Sequence, residues 1–289
     1  MGYDYDNLLK DINTLSENYG EIEKSVIGKS VMGRDIFCLK SGTGSKKAVL
    51  LGAYHGLEYL TSAFLMKFLS DFTANAEIGS SFFGYNANKL YKNITLYVIP
   101  MVNPDGVDIA VNGLDITNPY HRKLISLAGI HSFNSVWQAN ARGVDLNHNH
   151  NADWNMTVER PSPTKFGGKY SESEPETQAV VNFIRKIDCD ILLSFHSQGK
   201  EIYYDFNGFS PAGAEEKAEK IAKKSGYTVS HPTGTASYGG CKDWFISEFG
   251  RMGFTVEIGT GKNPLPVSML DDVYEDNARL ILCAVSEND

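Results

Sequence analysis

The sequence predicts a single α/β domain in which helices flank a sheet, and three observations support this prediction. Four short runs rich in β-branched and aromatic residues are almost continuously apolar, as expected of strands that are covered on both faces. They span residues 47–55, 94–103, 190–198 and 253–259. Helical patterns lie between these runs, and strands that alternate with helices indicate an α/β sheet. No internal repeat, low-complexity tract or linker divides the chain, so residues 1–289 are expected to form one domain.

The helices are predicted in the same order along the chain. An N-terminal helical segment is expected at residues 1–27, and apolar residues spaced three or four positions apart predict three further helices. These three span residues 58–74, 174–188 and 211–225. Ser171 precedes Glu174 by three residues just before an apolar run, which predicts a capping box at the start of the second of them.

The longest irregular stretch covers residues 104–164. It is rich in Asn, Gly, Asp and Pro and is far longer than an ordinary connection between a strand and a helix. Long loops on a rigid scaffold commonly carry binding and catalytic residues. We therefore expect these loops to form part of an active site.

Charge and composition limit the classes of partner. The chain has 289 residues, with 27 Lys and Arg against 35 Asp and Glu, a net charge of −8 and a pI near 5.4. This acidic balance argues against a nucleic acid as the main partner, because a phosphate backbone is bound by clustered Lys and Arg. With 42% apolar residues, 21% charged residues and a mean hydropathy of −0.26, the composition is that of a globular protein.

Neither the cysteines nor the N-terminus indicates export. The four cysteines, at positions 38, 189, 241 and 283, are scattered and form no C-x-x-C pair, so they are interpreted as small core residues. Residues 1–20 lack the basic and apolar regions of a signal peptide, and no stretch approaches the ~18 apolar residues of a membrane span. We therefore expect a cytoplasmic protein without a membrane partner, although removal of a leader from a secreted or spore protein would leave the same sequence. No oligomeric state is predicted.

Two histidines and a glutamate suggest a metal site. His55 closes the first strand run and Glu58 follows three residues later, so both side chains can point at one ion. His196 ends another buried run, and open α/β sheets bind ligands at the carboxyl ends of their strands. Two histidines and one carboxylate, with a fourth position for water, form a known catalytic zinc shell. The alternative is that HxxE occurs by chance and that both histidines only make hydrogen bonds at strand ends.

Glu257 is an acidic residue inside an otherwise apolar strand, GFTVEIG. An unpaired carboxylate in such a place is costly, so it needs a partner or a chemical role. Beside zinc it can accept a proton from the attacking water and return it to the leaving amine. The alternative is an ordinary buried salt bridge.

The ordered set of motifs resembles the zinc carboxypeptidase family. The set consists of the HxxE motif at 55–58, NPDG at 103–106, ARGVDLNHN at 141–149, and then His196 and Glu257. The resemblance implies one α/β domain with a mixed, mostly eight-stranded twisted sheet. It also implies that His55, Glu58 and His196 bind one zinc ion per chain and that Glu257 is the general base.

The resemblance also implies an arginine that polarises the scissile carbonyl, and Arg142 is the candidate here. A fixed guanidinium charge suits a developing negative oxygen. The alternative is that Arg142 only pairs with an acidic residue in the loop. Family members further carry a mobile tyrosine that covers the substrate, at the place of Thr235 in this sequence. Tyr238 either takes over that role or packs on the core.

One departure from the family concerns the substrate. Carboxypeptidases carry Asn-Arg where this chain has Asn147 and His148, and the arginine forks onto the substrate's terminal carboxylate. Imidazole cannot replace that bidentate contact, so a free α-carboxylate next to the scissile bond is not expected to be required. Asn147 and His148 are nevertheless predicted to contact substrate. His150, two residues further on, is either a second substrate contact or a solvated loop histidine.

The segments ANARGVDLNHNHNADW, FHSQGKEIYYDF and ASYGGCKDWFI are similar to the bacterial γ-D-glutamyl-diamino acid peptidases of this family. The resemblance implies a zinc metallopeptidase that hydrolyses the amide between γ-D-Glu and meso-diaminopimelate or L-Lys in murein stem peptides. Two alternatives are a metallocarboxypeptidase that removes ordinary C-terminal L-amino acids and a non-catalytic module that binds wall peptides.

Overall fold

Ten strands and ten α-helices make up the regular structure in the part of the chain that the computed structural model describes, namely residues 2–158, 160–232, 234 and 238–286. The strands are β1 (Glu23–Lys29), β2 (Asp35–Ser41), β3 (Lys46–Leu51), β4 (Ser81–Phe82), β5 (Tyr85–Asn86), β6 (Ile94–Ile99), β7 (Ile191–His196), β8 (Glu201–Tyr203), β9 (Thr228–Val229) and β10 (Met252–Glu257). The helices are α1 (Tyr5–Asn18), α2 (Leu60–Glu77), α3 (Ala87–Asn93), α4 (Pro104–Asn112), α5 (His121–Ala128), α6 (Phe133–Val136), α7 (Pro175–Ile187), α8 (Ala214–Ser225), α9 (Cys241–Phe249) and α10 (Leu270–Val285).

Eight of the strands form one mixed sheet, in the order β1-β2-β6-β3-β7-β10-β8-β9. Its four central strands, β6, β3, β7 and β10, are parallel to one another, whereas β2 and β8 pair with them in the antiparallel sense. The central strands correspond to the four apolar runs of the sequence. The α/β class and the mixed eight-stranded sheet are therefore confirmed.

The apolar runs are continuous because the central strands are covered on both faces. Successive residues of β3 enter two different cores, with Ala48 and Leu50 in one and Val49 and Leu51 in the other. Helices α1, α2, α8 and α10 contribute to the first core, and α7 and α9 to the second. No helix in the described part of the chain combines the length and apolar character that a membrane span requires.

The structure corrects three local predictions. The capping box at Ser171 is wrong, because α7 begins after Glu174, which makes no side-chain cap bond, and Pro175 supplies the first helical residue. Strand β1 begins at Glu23, inside the segment predicted to be helical. The described residues of the stretch 104–164 hold three α-helices and two short 3-10 helices, Leu146–His148 and Trp154–Met156, besides loops. Helix α4 forms here because Asn103 caps it through its side chain and Pro104 starts it.

Candidate metal centre and active site

The candidate site lies at the carboxyl ends of three parallel strands. His196 is the last residue of β7 and Glu257 is the last residue of β10, and the two are direct partners in the parallel pairing. Partners in register point to the same face of a sheet. His55 and Glu58 lie in the connection from β3 to α2, on the other side of β7. The strand order thus brings together groups that are about 200 residues apart in sequence.

The connection that carries His55 and Glu58 is held in a tight turn. The backbone N–H of Glu58 donates to the carbonyl of His55 at 3.0 Å. Gly56 is required here because a Cβ atom at that position would approach the carbonyl oxygen of Gly106 to 2.3 Å. The side-chain amide of Asn103 donates to the carbonyl of Tyr54 at 3.0 Å, so the NPDG segment also supports this turn.

His55, Glu58 and His196 converge as a metal site requires. The Nδ1 atom of His55 is 2.8 Å from Oε1 of Glu58, and the Nδ1 atom of His196 is 3.0 Å from Oε2 of the same carboxylate. One ligand atom from each residue lies within 4.8 Å of the others. Two imidazole nitrogens and one carboxylate match the donor set of a catalytic zinc site, in which water completes the coordination. The residues present therefore fit zinc.

Both imidazoles are oriented through their other ring nitrogen. Nε2 of His55 is 3.1 Å from Oδ1 of Asp145, and Nε2 of His196 is 3.1 Å from Oγ of Ser194. Such partners set the tautomer and the ring orientation of metal-binding histidines. Asp145 was not predicted to belong to the site, and its one signal in the sequence is its place in the ARGVDLNHN segment.

Burial and neighbouring charges shift the pKa values of the titratable groups in the site. Burial raises the pKa of Glu58, but His55 and His196 outweigh this effect and lower the pKa below its ordinary value. Burial lowers the pKa of His55, but Glu58 and Asp145 raise it well above its ordinary value. For Glu257, burial and then the charge of Glu58 raise the pKa well above the usual range of a carboxyl group. A carboxyl group with a raised pKa is suited to exchanging protons during catalysis.

A cavity of about 640 Å³ opens beside these groups. Its lining includes most of the side chains that were predicted to form the site: His55, Glu58, His196, Glu257, Asn147 and His148. His148 is held by a contact of 2.8 Å from its Nδ1 atom to the backbone oxygen of Tyr238, and Asn147 accepts a hydrogen bond from the backbone N–H of Cys241 at 3.0 Å.

The structure does not bring Arg142 into this cavity. Its side chain is 42% exposed, lies 3.4 Å from Oε2 of Glu174 and lines a different cavity of about 890 Å³. A tight turn directs it away, because the side-chain oxygen of Asn140 accepts from the backbone N–H groups of both Arg142 and Val144. The structure thus contains the alternative interpretation, an ion pair between Arg142 and the loop residue Glu174. Gln138, which was not predicted as a site residue, lines the cavity.

Tyr238 contributes its backbone to the site rather than its ring. Its carbonyl oxygen contacts His148, and Tyr238 is not among the described residues that line the cavity. Thr235, the position at which the family carries its mobile tyrosine, lies outside the described residues. A role for Tyr238 in covering the substrate therefore stays a prediction.

His150 is neither a substrate contact nor solvated. Its side chain is completely buried between Tyr54 and Trp244, with Nε2 3.3 Å from the hydroxyl of Tyr54. Its Nδ1 atom has no hydrogen-bond partner among the described residues. Burial lowers the pKa of His150 to about 3, so the ring is neutral in the folded protein.

His150→Gln is expected to reduce the loss of stability in acid. The pKa of His150 rises from about 3 in the folded chain to an ordinary 6.5 on unfolding. Its contribution to stability is therefore complete above pH 6.5 and is lost as the pH falls toward 3, by up to about 1.4 kcal/mol per pH unit. Urea unfolding between pH 7.5 and 5 measures this slope. The half-buried His121, changed to Gln, is the control, and equal slopes for wild type and His150→Gln would contradict the assignment.

Comparison with known proteins agrees with this geometry. The profile of a peptidase family described as zinc carboxypeptidase matches residues 8–280. The chain is 35% identical over 290 residues to gamma-D-glutamyl-L-diamino acid endopeptidase 1 of Lysinibacillus sphaericus, covering 99% of this chain and 72% of that protein. It is 32% identical to the uncharacterized protein YqgT of Bacillus subtilis (strain 168), over 96% of this chain and 76% of that protein. Among solved structures, thrombin activatable fibrinolysis inhibitor superposes with a TM-score of 0.80 at 21% identity, over 99% of this chain and 74% of the other, which shows a shared fold.

Proposed function

This chain belongs to the zinc carboxypeptidase family and is a zinc-dependent peptide hydrolase, and from that premise we propose that it cleaves the amide bond between γ-D-Glu and a diamino acid in peptidoglycan stem peptides. The diamino acid is meso-diaminopimelate or L-Lys. The relative that is 35% identical along almost the whole chain carries the name of this activity, which supports the proposal.

The side chains that line the cavity are the main evidence for the proposed substrate class. Its cationic side chains in the described part of the chain are lysines and histidines, and no arginine is among them. A bidentate clamp for a terminal α-carboxylate needs the planar guanidinium of arginine. Because position 148 is a histidine and Arg142 lines a different cavity, the described residues of this site include no guanidinium that would tie cleavage to a free C-terminal carboxylate.

The residues of the chain have separate tasks in the proposed reaction. His55, Glu58 and His196 hold zinc, which when bound supplies Lewis acidity and lowers the pKa of a coordinated water to about 7. Glu257 accepts a proton from the attacking water and returns it to the leaving amine, without a covalent acyl-enzyme. Asp145 and Ser194 keep the two imidazoles in the orientation that binding requires.

The second candidate is a carboxypeptidase that acts on ordinary C-terminal L-amino acids. Three lysines of the cavity, Lys165, Lys242 and Lys262, favour it, since an ammonium can also attract a terminal carboxylate. A lysine is a point charge and does not form the planar two-bond contact, so it would select carboxylates less strongly.

Product analysis with defined peptides separates the candidates. Zinc-loaded protein is expected to split L-Ala-γ-D-Glu-meso-diaminopimelate, and also the same peptide extended by D-Ala, at the γ-D-Glu bond. Blocked dipeptides with ordinary L-residues are expected to react at least about 100-fold more slowly, as for substrates that leave polar groups of a site unpaired. The reverse ranking would establish the carboxypeptidase instead. Stoichiometric binding without any product would identify a binding module.

A further inference from the structure

The second cavity, of about 890 Å³, shares no lining residue with the substrate cavity in the part of the chain that the structure describes. Its charged lining residues there are three cations, Lys123, Arg142 and Lys169, and one carboxylate, Glu174. The side chain of Glu174 is only 5% exposed, and its Oε1 atom already accepts a hydrogen bond from Oγ of Ser173 at 2.9 Å. The second cavity is therefore positively charged, although the whole chain has a net charge of −8.

The three cations come from separate segments and lie close to one another. Nζ of Lys123, on α5, donates to the backbone oxygen of Arg142 at 2.7 Å. Burial lowers the pKa of Lys123, and the charges of Arg142 and Lys169 add to this effect while Glu174 opposes it. Lys169 has no hydrogen bond or ion pair with any described residue, and Arg142 reaches Glu174 only at 3.4 Å. Most of the N–H donors in this cluster are therefore open to an anion.

Aromatic rings form another part of the lining of the second cavity. Trp154 is half-buried, and its Nε1 atom donates to the carbonyl of Gly167 at 2.5 Å, which holds the indole against the wall. A Cβ atom at Gly167 would approach the backbone oxygen of His148 to 2.5 Å, so only glycine fits beneath the indole. Tyr170 also lines the cavity and is 60% exposed. Aromatic side chains supply large, flat contact areas to a ligand with a ring.

Neutral polar groups complete the lining. The side-chain amide of Asn155 and the hydroxyl of Thr157 have no hydrogen-bond partner among the described residues. Both groups can donate and accept, as the hydroxyl groups of a sugar also do. An inorganic anion would use only the cations, and a neutral sugar would use only the rings and the polar groups. A sugar with a negative charge would use all three kinds of group.

The second cavity lies directly behind a wall of the substrate cavity. Val144 and Phe166 line the second cavity, whereas their neighbours Asp145 and Lys165 line the substrate cavity. The backbone N–H of Asp145 donates to the carbonyl of Phe166 at 2.8 Å, and that of Lys165 donates to Oδ2 of Asp145 at 2.8 Å. Successive residues of an extended segment point to opposite sides. One pair of segments therefore separates the two cavities.

We propose that the second cavity binds a sugar that bears a carboxylate or a phosphate. Lys123, Arg142 and Lys169 bind the anionic group, and Trp154 and Tyr170 contact the faces of the sugar ring. The inference does not depend on which bond the enzyme cleaves, since the site is separate from the metal centre. Arg142 then has a role in binding a second ligand rather than in the reaction. In an enzyme that acts on wall peptides, such a site would hold the saccharide part of the wall.

Calorimetric titration of the zinc-loaded protein tests the ligand class. The probes are N-acetylmuramic acid, N-acetylglucosamine 1-phosphate, uncharged N-acetylglucosamine and inorganic phosphate. The tighter of the two charged sugars identifies the anionic group, and it is expected to bind about 10- to 100-fold more tightly than N-acetylglucosamine, as for hydrogen bonds to charged groups. Equal affinity for the charged and the uncharged sugars would overturn the inference. So would inorganic phosphate that binds as tightly as the charged sugars.

A pair of matched lysine variants tests the location. Lys169→Gln removes an exposed cation from the second cavity and is expected to weaken binding of the charged sugar by about 10-fold, while binding of N-acetylglucosamine stays unchanged. Lys262→Gln removes an exposed cation from the lining of the substrate cavity and is expected to keep the wild-type affinity for the charged sugar. Weaker binding in Lys262→Gln but not in Lys169→Gln would place the sugar in the substrate cavity and overturn the inference.

Tryptophan fluorescence of the unaltered protein gives a readout that needs no variant. Of the three tryptophans, Trp137 and Trp244 are completely buried, and Trp154 is the one at the surface of the second cavity. The charged sugar is expected to change the emission with the same Kd that calorimetry gives, and Trp154→Phe is expected to remove this change. Unchanged emission at a saturating concentration of a sugar that binds by calorimetry would show that it binds elsewhere.

Discussion

Glu257→Gln is expected to keep its zinc and to lose turnover by about 10²- to 10⁴-fold, the range that general-base help contributes. The amide has nearly the shape of the carboxyl group but cannot accept the proton. Glu257 is not one of the three metal-ligand candidates, so the zinc content should not change. The measurements are kcat/KM on the stem peptide and zinc per chain by atomic absorption.

Glu201→Gln provides the matched control for that variant. Glu201 is the antiparallel partner of Glu257 on β8, and its carboxylate is bound by the hydroxyl of Tyr203 at 2.5 Å. The substitution removes the same charge from the neighbouring strand, and we expect most of the turnover to remain. A Glu257→Gln variant as active as Glu201→Gln would show that another group carries the proton.

His196→Ala is expected to weaken zinc binding by more than about 100-fold. Loss of a partner outside the inner shell already costs 10- to 100-fold, and this variant loses an inner ligand. Metal affinity is measured by competition with a chelator of known zinc affinity. His55→Ala is expected to weaken zinc binding to a similar extent, since the Nδ1 atom of His55 faces the same carboxylate of Glu58.

His121→Ala is the control for the metal-site variants. His121 is half-buried at the start of α5, where its ring contacts the backbone oxygen of Asp115 at 2.9 Å. Its replacement is expected to leave the zinc content unchanged. Undiminished zinc in both His55→Ala and His196→Ala would refute the metal site, and loss of zinc in His121→Ala would indicate a general effect of removing a histidine.

Much of the fold was predictable because burial on both faces leaves a continuous apolar run in the sequence. The four central strands were found for this reason. His196 stood out as a polar residue near the end of such a run, and Glu257 as an acidic residue within one. The edge strands were not found. Strand β1 has a largely exposed pattern and β9 has two residues, so neither leaves an apolar signature.

The sequence by itself determined the α/β class, the family, the metal-ligand candidates His55, Glu58 and His196, and the candidate base Glu257. These conclusions depend on residue type and order along the chain, which a single sequence contains. Only the tertiary structure decided which charged side chains share the cavity. A turn stabilised by Asn140 directs Arg142 to Glu174, whereas α9 packs on Gly253 and carries Lys242 and Asp243 to the cavity wall. The direction of a side chain depends on turns and packing between distant segments, and residue spacing does not encode that direction.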